Sequence, residues 1–231
     1  MLHKTKGIVI NFIKYRETSI IVRIYTQLFG LQSYIINGVR TKNSKSTKIA
    51  LFQPLTLLEL VVYHKNKDQI QRISEVKCIH PLISVPYQTK KSAIALFIAE
   101  IMYKTLKDAH ENAPLFDFII NSIITLDDLK EHYENHHLIF LIQLSAYLGF
   151  EPSSIHDISH EVRNPQEESI LNDNEKQGLS KLILADYHTM VKITNQGRRL
   201  LLEEILTFYH YHLDGIRPVK SVSVLNEVLQ D

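Results

Sequence analysis

The chain has one cysteine, Cys78, in 231 residues. That excludes an internal disulfide framework and any structural zinc site built on two or more thiolates, and leaves Cys78 read as a small buried hydrophobe. Long apolar runs are missing as well: the longest, Ala93 to Ala99, is seven residues, against roughly 20 for a membrane-spanning helix. The opening MLHKTKGIVI has no apolar secretory core, so a soluble, cytoplasmic protein with no membrane partner is expected. Gly30 and Gly38 belong to no G-x-x-x-x-G-K-[ST] phosphate loop, which argues against ATP hydrolysis. Close carboxylates occur only as the adjacent pairs Asp127-Asp128, Glu167-Glu168 and Glu203-Glu204. Neighbours on a helix diverge by about 100° and do not converge on one metal ion. His132, His136 and His137 have no Cys or Ser nucleophile at a recognisable spacing. No catalytic residue, metal or cofactor is therefore expected, and there is no tandem repeat or low-complexity segment.

What is present is divided unevenly. With 45% apolar residues the chain can bury the core of one large domain or two modest ones. Its net charge of +1 averages two unlike parts. Residues 1–80 hold thirteen Lys and Arg against four Asp and Glu, a net of +9, whereas residues 81–231 hold thirteen against twenty-one, a net of −8. No acidic residue stands between Glu17 and Glu59. Such asymmetry points to a module for a polyanion, 1–80, joined to a second module, 81–231, with another task.

Five segments of the basic part are rich in Ile, Val, Leu and Tyr: Gly7 to Lys14, Ser19 to Thr26, Leu31 to Asn37, Leu55 to His64 and Ile70 to Ile79. They read as short strands, antiparallel where the links are tight. In the second, Ile20, Val22 and Ile24 alternate with Ile21, Arg23 and Tyr25, the period of a strand with one buried face and one wet face. Five strands in this length suit an oligonucleotide-binding (OB) barrel, with an SH3-like barrel as competitor. The third link, Gly38 to Lys48, is long and basic.

Single-strand binders of this shape combine a positive groove along the phosphates with aromatic faces on which bases stack. The candidate DNA contacts are Lys14, Tyr15, Arg16, Arg23, Tyr25, Arg40, Lys42, Lys45 and Lys48, with Tyr15 and Tyr25 as the stacking platforms. No helix-turn-helix or zinc-finger spacing is present, so binding should be salt-sensitive and weakly sequence-selective.

From Gln88 the apolar period becomes helical. Helices are expected over Gln88–Lys107, Pro114–Thr125, Leu126–Leu148 ended by Gly149, Glu175–Tyr187, Gly197–Leu213 and Val222–Leu229, the last N-capped by Ser221. Glu151 to Asn174, with Pro152 and Pro165, is an irregular excursion. The fold class is thus α+β, a five-stranded OB-type barrel followed by an all-α region.

Gly7-Ile8-Val9-Ile10, Tyr15-Arg16-Glu17, Asn37-Gly38-Val39-Arg40, Leu51-Phe52-Gln53-Pro54-Leu55 with Leu58-Glu59-Leu60, and Arg217-Pro218-Val219-Lys220-Ser221 with Leu225 together resemble the RecO family of recombination mediators. The resemblance spans nearly the whole chain. It implies recombinational DNA repair without a chemical step: binding of single- and double-stranded DNA, strand annealing, and help in loading RecA on DNA coated by single-stranded DNA-binding protein (SSB). It implies RecR and the SSB C-terminal tail as partners, RecF and RecA as further ones, and a cytoplasmic, nucleoid-associated location. Arg198, Arg199, Arg217 and Lys220 are the cationic cluster expected to receive the acidic, Phe-ended SSB tail. Many relatives carry a four-cysteine zinc motif in the region matching Glu151 to Asn174. Here it is missing, and His156 and His160 alone are read as solvent-exposed loop residues. A protein-interaction adaptor and an RNA-binding OB module are the competing readings.

Overall fold

The computed structural model describes residues 1–39, 47–64, 69–107, 111–159, 171–216 and 218–230, without the side chains of 47, 48 and 159. Five strands, β1 (Leu2–Tyr15), β2 (Ser19–Thr26), β3 (Gly30–Ile36), β4 (Leu57–Tyr63) and β5 (Ile70–His80), close into a barrel in the order β1-β2-β3-β5-β4. A short helix, α1 (Thr47–Ala50), lies between β3 and β4 in the chain. This is the expected five-stranded OB-type architecture. β3 and β5 pair in parallel over Ser33–Ile35, because β4 intervenes in sequence but not in space, whereas every other junction is antiparallel.

The first strand begins five residues before the expected Gly7. Its opening residues, from His3 to Lys6, have no apolar alternation of their own, and they are made a strand by pairing with β4 from Leu2↔Tyr63 to Ile8↔Leu57. After a bulge between Val9 and Asn11, β1 continues along β2 to Tyr15↔Ser19. One long strand thus serves two neighbours, and Gly7 sits where they meet. A Cβ there would lie 2.6 Å from Ile24 Cγ2 and 2.9 Å from Leu60 Cδ1. Overpacking of this kind costs roughly 1–3 kcal/mol.

The barrel interior is filled by Val9, Ile20, Val22, Ile24, Tyr34, Leu58, Leu60 and Val62, closed by Val39 and Phe52. Cys78, opposite Leu58 in the register, is only half-buried.

The chain forms two compact units, 1–83 with 99–124, and 84–98 with 125–231. Helices α2 (Thr89–Thr105) and α3 (Ala113–Asp128) therefore contribute to both. In the first unit Phe116 of α3 lies against Tyr25 and Tyr103 of α2 against Arg23 on the barrel's outside, and Ile8, Ile10, Tyr25 and Leu57 are buried although they are not part of the interior cluster.

The second unit holds α4 (His136–Leu148), α5 (Ile155–Ser159), α6 (Asp173–Ile183), α7 (Asn195–His212) and α8 (Ser221–Val228). Leu138, Leu141, Leu144, Leu179, Leu182, Leu201 and Ile205 make its core, and the Tyr209 hydroxyl donates to the Leu141 carbonyl at 2.6 Å. The single helix expected over Leu126–Leu148 is two. α3 stops at Asp128 and α4 starts at His136, with His132 between them at φ +61. Gly149 ends α4 as expected, in the left-handed conformation at φ 89. α6 opens on a capping box between Asn172 and Glu175. α8 is preceded by Lys220 with no side-chain cap, so Ser221 is its first residue and not its N-cap. Among the described residues, no helix is long and apolar enough to cross a membrane.

Candidate nucleic-acid interface

Lys14, Tyr15 and Arg16 come together where β1 turns into β2. Lys14 and Arg16 are exposed and Tyr15 is half-buried. Arg16 takes a left-handed φ of +49 and carries its guanidinium 5.2 Å from the centre of the Tyr15 ring, a cation–π contact worth about 0.5–1 kcal/mol at an exposed site. This turn presents two cations and one aromatic edge to solvent.

Arg23 points outward as its alternation requires, but into a built setting. Its Nη1 donates to Asn11 Oδ1 at 3.1 Å, from the facing strand position, and its Cζ lies 4.8 Å over the Tyr103 ring of α2. Lys107 Nζ stands 5.4 Å from that same ring. Tyr103 thus gathers two cations at the flank of the barrel, an arrangement the sequence reading missed because it joins residues eighty positions apart.

Tyr25 is not a stacking platform. It is 1% exposed, its ring lies 5.9 Å from that of Phe116 on α3, and burial pushes its phenol up to about 12. Alternation along β2 placed it correctly on the outer face; the helix covering that face is what removes it from water. Tyr63 is 46% exposed on β4. Arg40, Lys42 and Lys45 lie outside the described residues, as does the side chain of Lys48.

The cations expected to receive a partner peptide divide. Arg198 is 8% exposed and turned inward: Nε donates to Asn135 Oδ1 at 3.0 Å, Nη1 to Asn195 Oδ1 at 2.8 Å and Nη2 to the Ile193 carbonyl at 3.4 Å. Asn135 in turn donates to the Val191 carbonyl at 2.7 Å. Arg198 is thus a structural fork that ties the start of α7 to the turn before α4. Its neighbour Arg199 is exposed and donates to the Asn226 carbonyl of α8 at 2.9 Å. Lys220 is exposed and Arg217 lies outside the described residues. Beside the buried fork is a cavity of about 360 Å³, lined by His132, Met190, Val191, Lys192, Ile193 and Arg198 among others. It combines apolar walls with the cations Lys192 and Arg198 and the carboxylate of Glu134.

His137 is fully buried, and desolvation, helped by Arg198 and His136, brings its imidazole down to about 3. It remains neutral at physiological pH. His136 stacks on Tyr187 with ring centres 4.1 Å apart.

Asp127, from one of the adjacent carboxylate pairs, is buried. Its Oδ1 accepts from the Ser84 and Val85 amides at 2.8 and 2.7 Å. Lys91, 1% exposed, donates to Ser84 Oγ at 2.7 Å and to the Asp127 carbonyl at 2.8 Å. A Ser–Lys pair at this distance has the outline of a nucleophile and its base. Here the Ser84 hydroxyl is itself turned onto the Asp127 carbonyl at 2.5 Å and the ammonium is buried, so the group works as a clamp on the chain preceding α2. Among the described residues, no three His, Cys, Asp or Glu side chains gather as metal ligands do.

Two family models match the chain in order: Recombination protein O N terminal over residues 1–82 and Recombination protein O C terminal over residues 87–222. The DNA repair protein RecO of Flavobacterium psychrophilum is 37% identical over 235 residues, covering 97% of this chain and 98% of its own. That of Bacteroides fragilis is 36% identical over 243 residues, covering 99% of each. That of Azobacteroides pseudotrichonymphae is 33% identical over 240 residues, again with 99% of each chain covered. A barrel followed by helices, two family matches in the same order, and relatives alike over nearly their whole length lead to one conclusion: this chain belongs to the RecO family of DNA repair proteins.

Proposed function

We propose that the chain is a non-catalytic mediator of recombinational repair whose barrel holds single- and double-stranded DNA by the phosphates. The observation that carries this reading is the β1–β2 turn, where Lys14 and Arg16 stand exposed beside Tyr15 in a barrel region of net charge +9. Cations in water release condensed counterions when they meet a phosphate chain, and that release drives binding. Annealing follows from the same physics: a surface that neutralises phosphates and leaves base edges free lowers the repulsion between two strands. The basic link between β3 and β4 in the chain adds Arg40, Lys42, Lys45 and Lys48 to the cations assigned to DNA.

The helical unit supplies protein contacts. Its cavity, with Met190, Val191 and Ile193 on the walls and Lys192 as a cation, suits the acidic, Phe-ended SSB tail; Arg199 and Lys220, exposed elsewhere in the unit, and Arg217 are the further cations assigned to that partner. RecR and RecF would act beside it and RecA would be the protein loaded, in the cytoplasm and at the nucleoid.

The test is affinity for single-stranded DNA, duplex DNA and RNA across a range of salt. Log affinity should fall steeply with log salt for both DNA forms, and replacing Arg40, Lys42 and Lys45 by Ala should flatten the slope. Affinity independent of salt, or confined to RNA, would overturn the reading.

A further inference from the structure

Strand register places one outward-facing residue from every strand in a single row around the barrel. Ile13 on β1 is opposite Ile21 on β2, Ile21 is opposite Ile35 on β3, Ile35 is opposite Arg72 on β5, Arg72 is opposite Tyr63 on β4, and Tyr63 is opposite Leu2 at the start of β1. Several members of this row are exposed, and Ile21 and Ile35 are half-buried. Leu2 is 52% exposed, Ile13 48% and Tyr63 46%, and Arg72 is exposed between Tyr63 and Ile35. Ile70, one outward step from Arg72 along β5, is also exposed. The opposite end of the same outer face, at Ile8 and Tyr25, is buried.

We propose that the stretch Ile35–Arg72–Tyr63–Leu2 is a base-stacking track for single-stranded DNA, with Tyr63 as the platform and Arg72 as its phosphate contact. Cross-strand neighbours hold their Cβ atoms about 4.5–5.5 Å apart, so a base laid on the Tyr63 ring brings its phosphate within reach of the long Arg72 side chain. Leu2 and Ile70 offer aliphatic surface to the sugar and to the next base. Charge selects the occupant. Lys4 is paired with Glu59 at 3.1 Å, which leaves Lys6 on β1 and Lys77 on β5 as outward cations against Glu75, within a region that carries +9. An apolar strip rimmed by cations matches a chain whose bases are flat and apolar and whose backbone is anionic. A duplex has its bases stacked away and cannot use the track, so it separates single-strand from duplex binding. The inference rests on the reading that the barrel binds DNA, and names which of its faces takes unpaired bases.

The chain has no tryptophan, so Tyr63→Trp installs a single indole reporter at the platform. Titration of this variant with oligo(dT) should quench its emission, while Tyr87→Trp, in the other unit and 82% exposed, stays unquenched. Tyr63→Ala should weaken oligo(dT) binding about 5- to 150-fold, the fold-change equivalent of roughly 1–3 kcal/mol per stacked base. Tyr63→Phe should restore it, and duplex affinity should be the same in all three proteins. If the unaltered protein does not bind oligo(dT), the nucleic-acid reading of the barrel fails. If it binds and Tyr63→Ala binds equally well with no quenching of Tyr63→Trp, the DNA reading stands and the track is overturned. Sedimentation that shows Tyr63→Ala dissociating a dimer of the unaltered chain would also overturn it, in favour of a second copy as occupant.

Discussion

In the barrel, Lys14, Arg16 and Arg72 are exposed on turn and strand positions, whereas in the helical unit Lys91 and Arg198 are buried and give their hydrogen bonds to backbone carbonyls, a serine hydroxyl and asparagine side chains. The same residue types thus have opposite physical roles. An exposed cation contributes little to stability and remains available to a polyanion, while a buried one is held by its partners and is costly to remove. Counting cations by region showed where the charge resides; burial shows which charges can be shared with a ligand.

The largest effect that would break this comparison is at Arg198. Arg198→Ala leaves the buried oxygen of Asn135 without its donor, and a loss of roughly 1–3 kcal/mol in denaturant unfolding is expected. Arg198→Lys should recover only part of it, since one ammonium cannot reproduce the planar fork. A variant as stable as the parent would mean that Arg198 is no structural residue.

A second comparison uses pH. The His137 imidazole titrates near 3 in the folded protein against about 6.5 unfolded. Between those values the unfolded chain binds the extra proton, so stability falls with decreasing pH, by up to about 1.4 kcal/mol per unit from this group. Unfolding of His137→Leu followed from pH 6.5 to 4.5 should show a shallower decline than the parent. Parallel curves would show that the buried imidazole is not the proton acceptor.

The smallest stability change is expected at the exposed cations. Replacing both Lys14 and Arg16 by Ala should shift unfolding by no more than about 0.5 kcal/mol, yet reduce the slope of log affinity for DNA against log salt by about 1–2. An unchanged slope would remove the β1–β2 turn from the interface.

The strands from Ser19 to Ile79 were legible because alternation is a local property, and so was the change to helical period after Gln88. What was lost depends on distant partners. Lys4 and Lys6 belong to a strand because β4 lies alongside, Tyr25 is dry because Phe116 covers it, and Asp127 is buried because Ser84 and Val85 reach it. Arg198 and Arg199 look alike in sequence, but a helix turns adjacent residues about 100° apart, which sends one toward Asn135 and the other toward Asn226. The apolar period runs on through Leu126, Leu129 and Leu138 with no proline or glycine to mark the break at His132. Tyr63 could have been found by asking which aromatic stands outward in register with a cation.

The double pairing of β1, with β4 through its first half and β2 through its second, completes the ring, and the short parallel ladder between β3 and β5 joins its other side. Where the ring is paired, no edge is left on which another polypeptide can extend the sheet, and it is guarded there against edge-to-edge aggregation. A ligand of the paired strands meets side chains on their faces or the connecting turns, and specificity there rests on how those side chains are spaced across the strands.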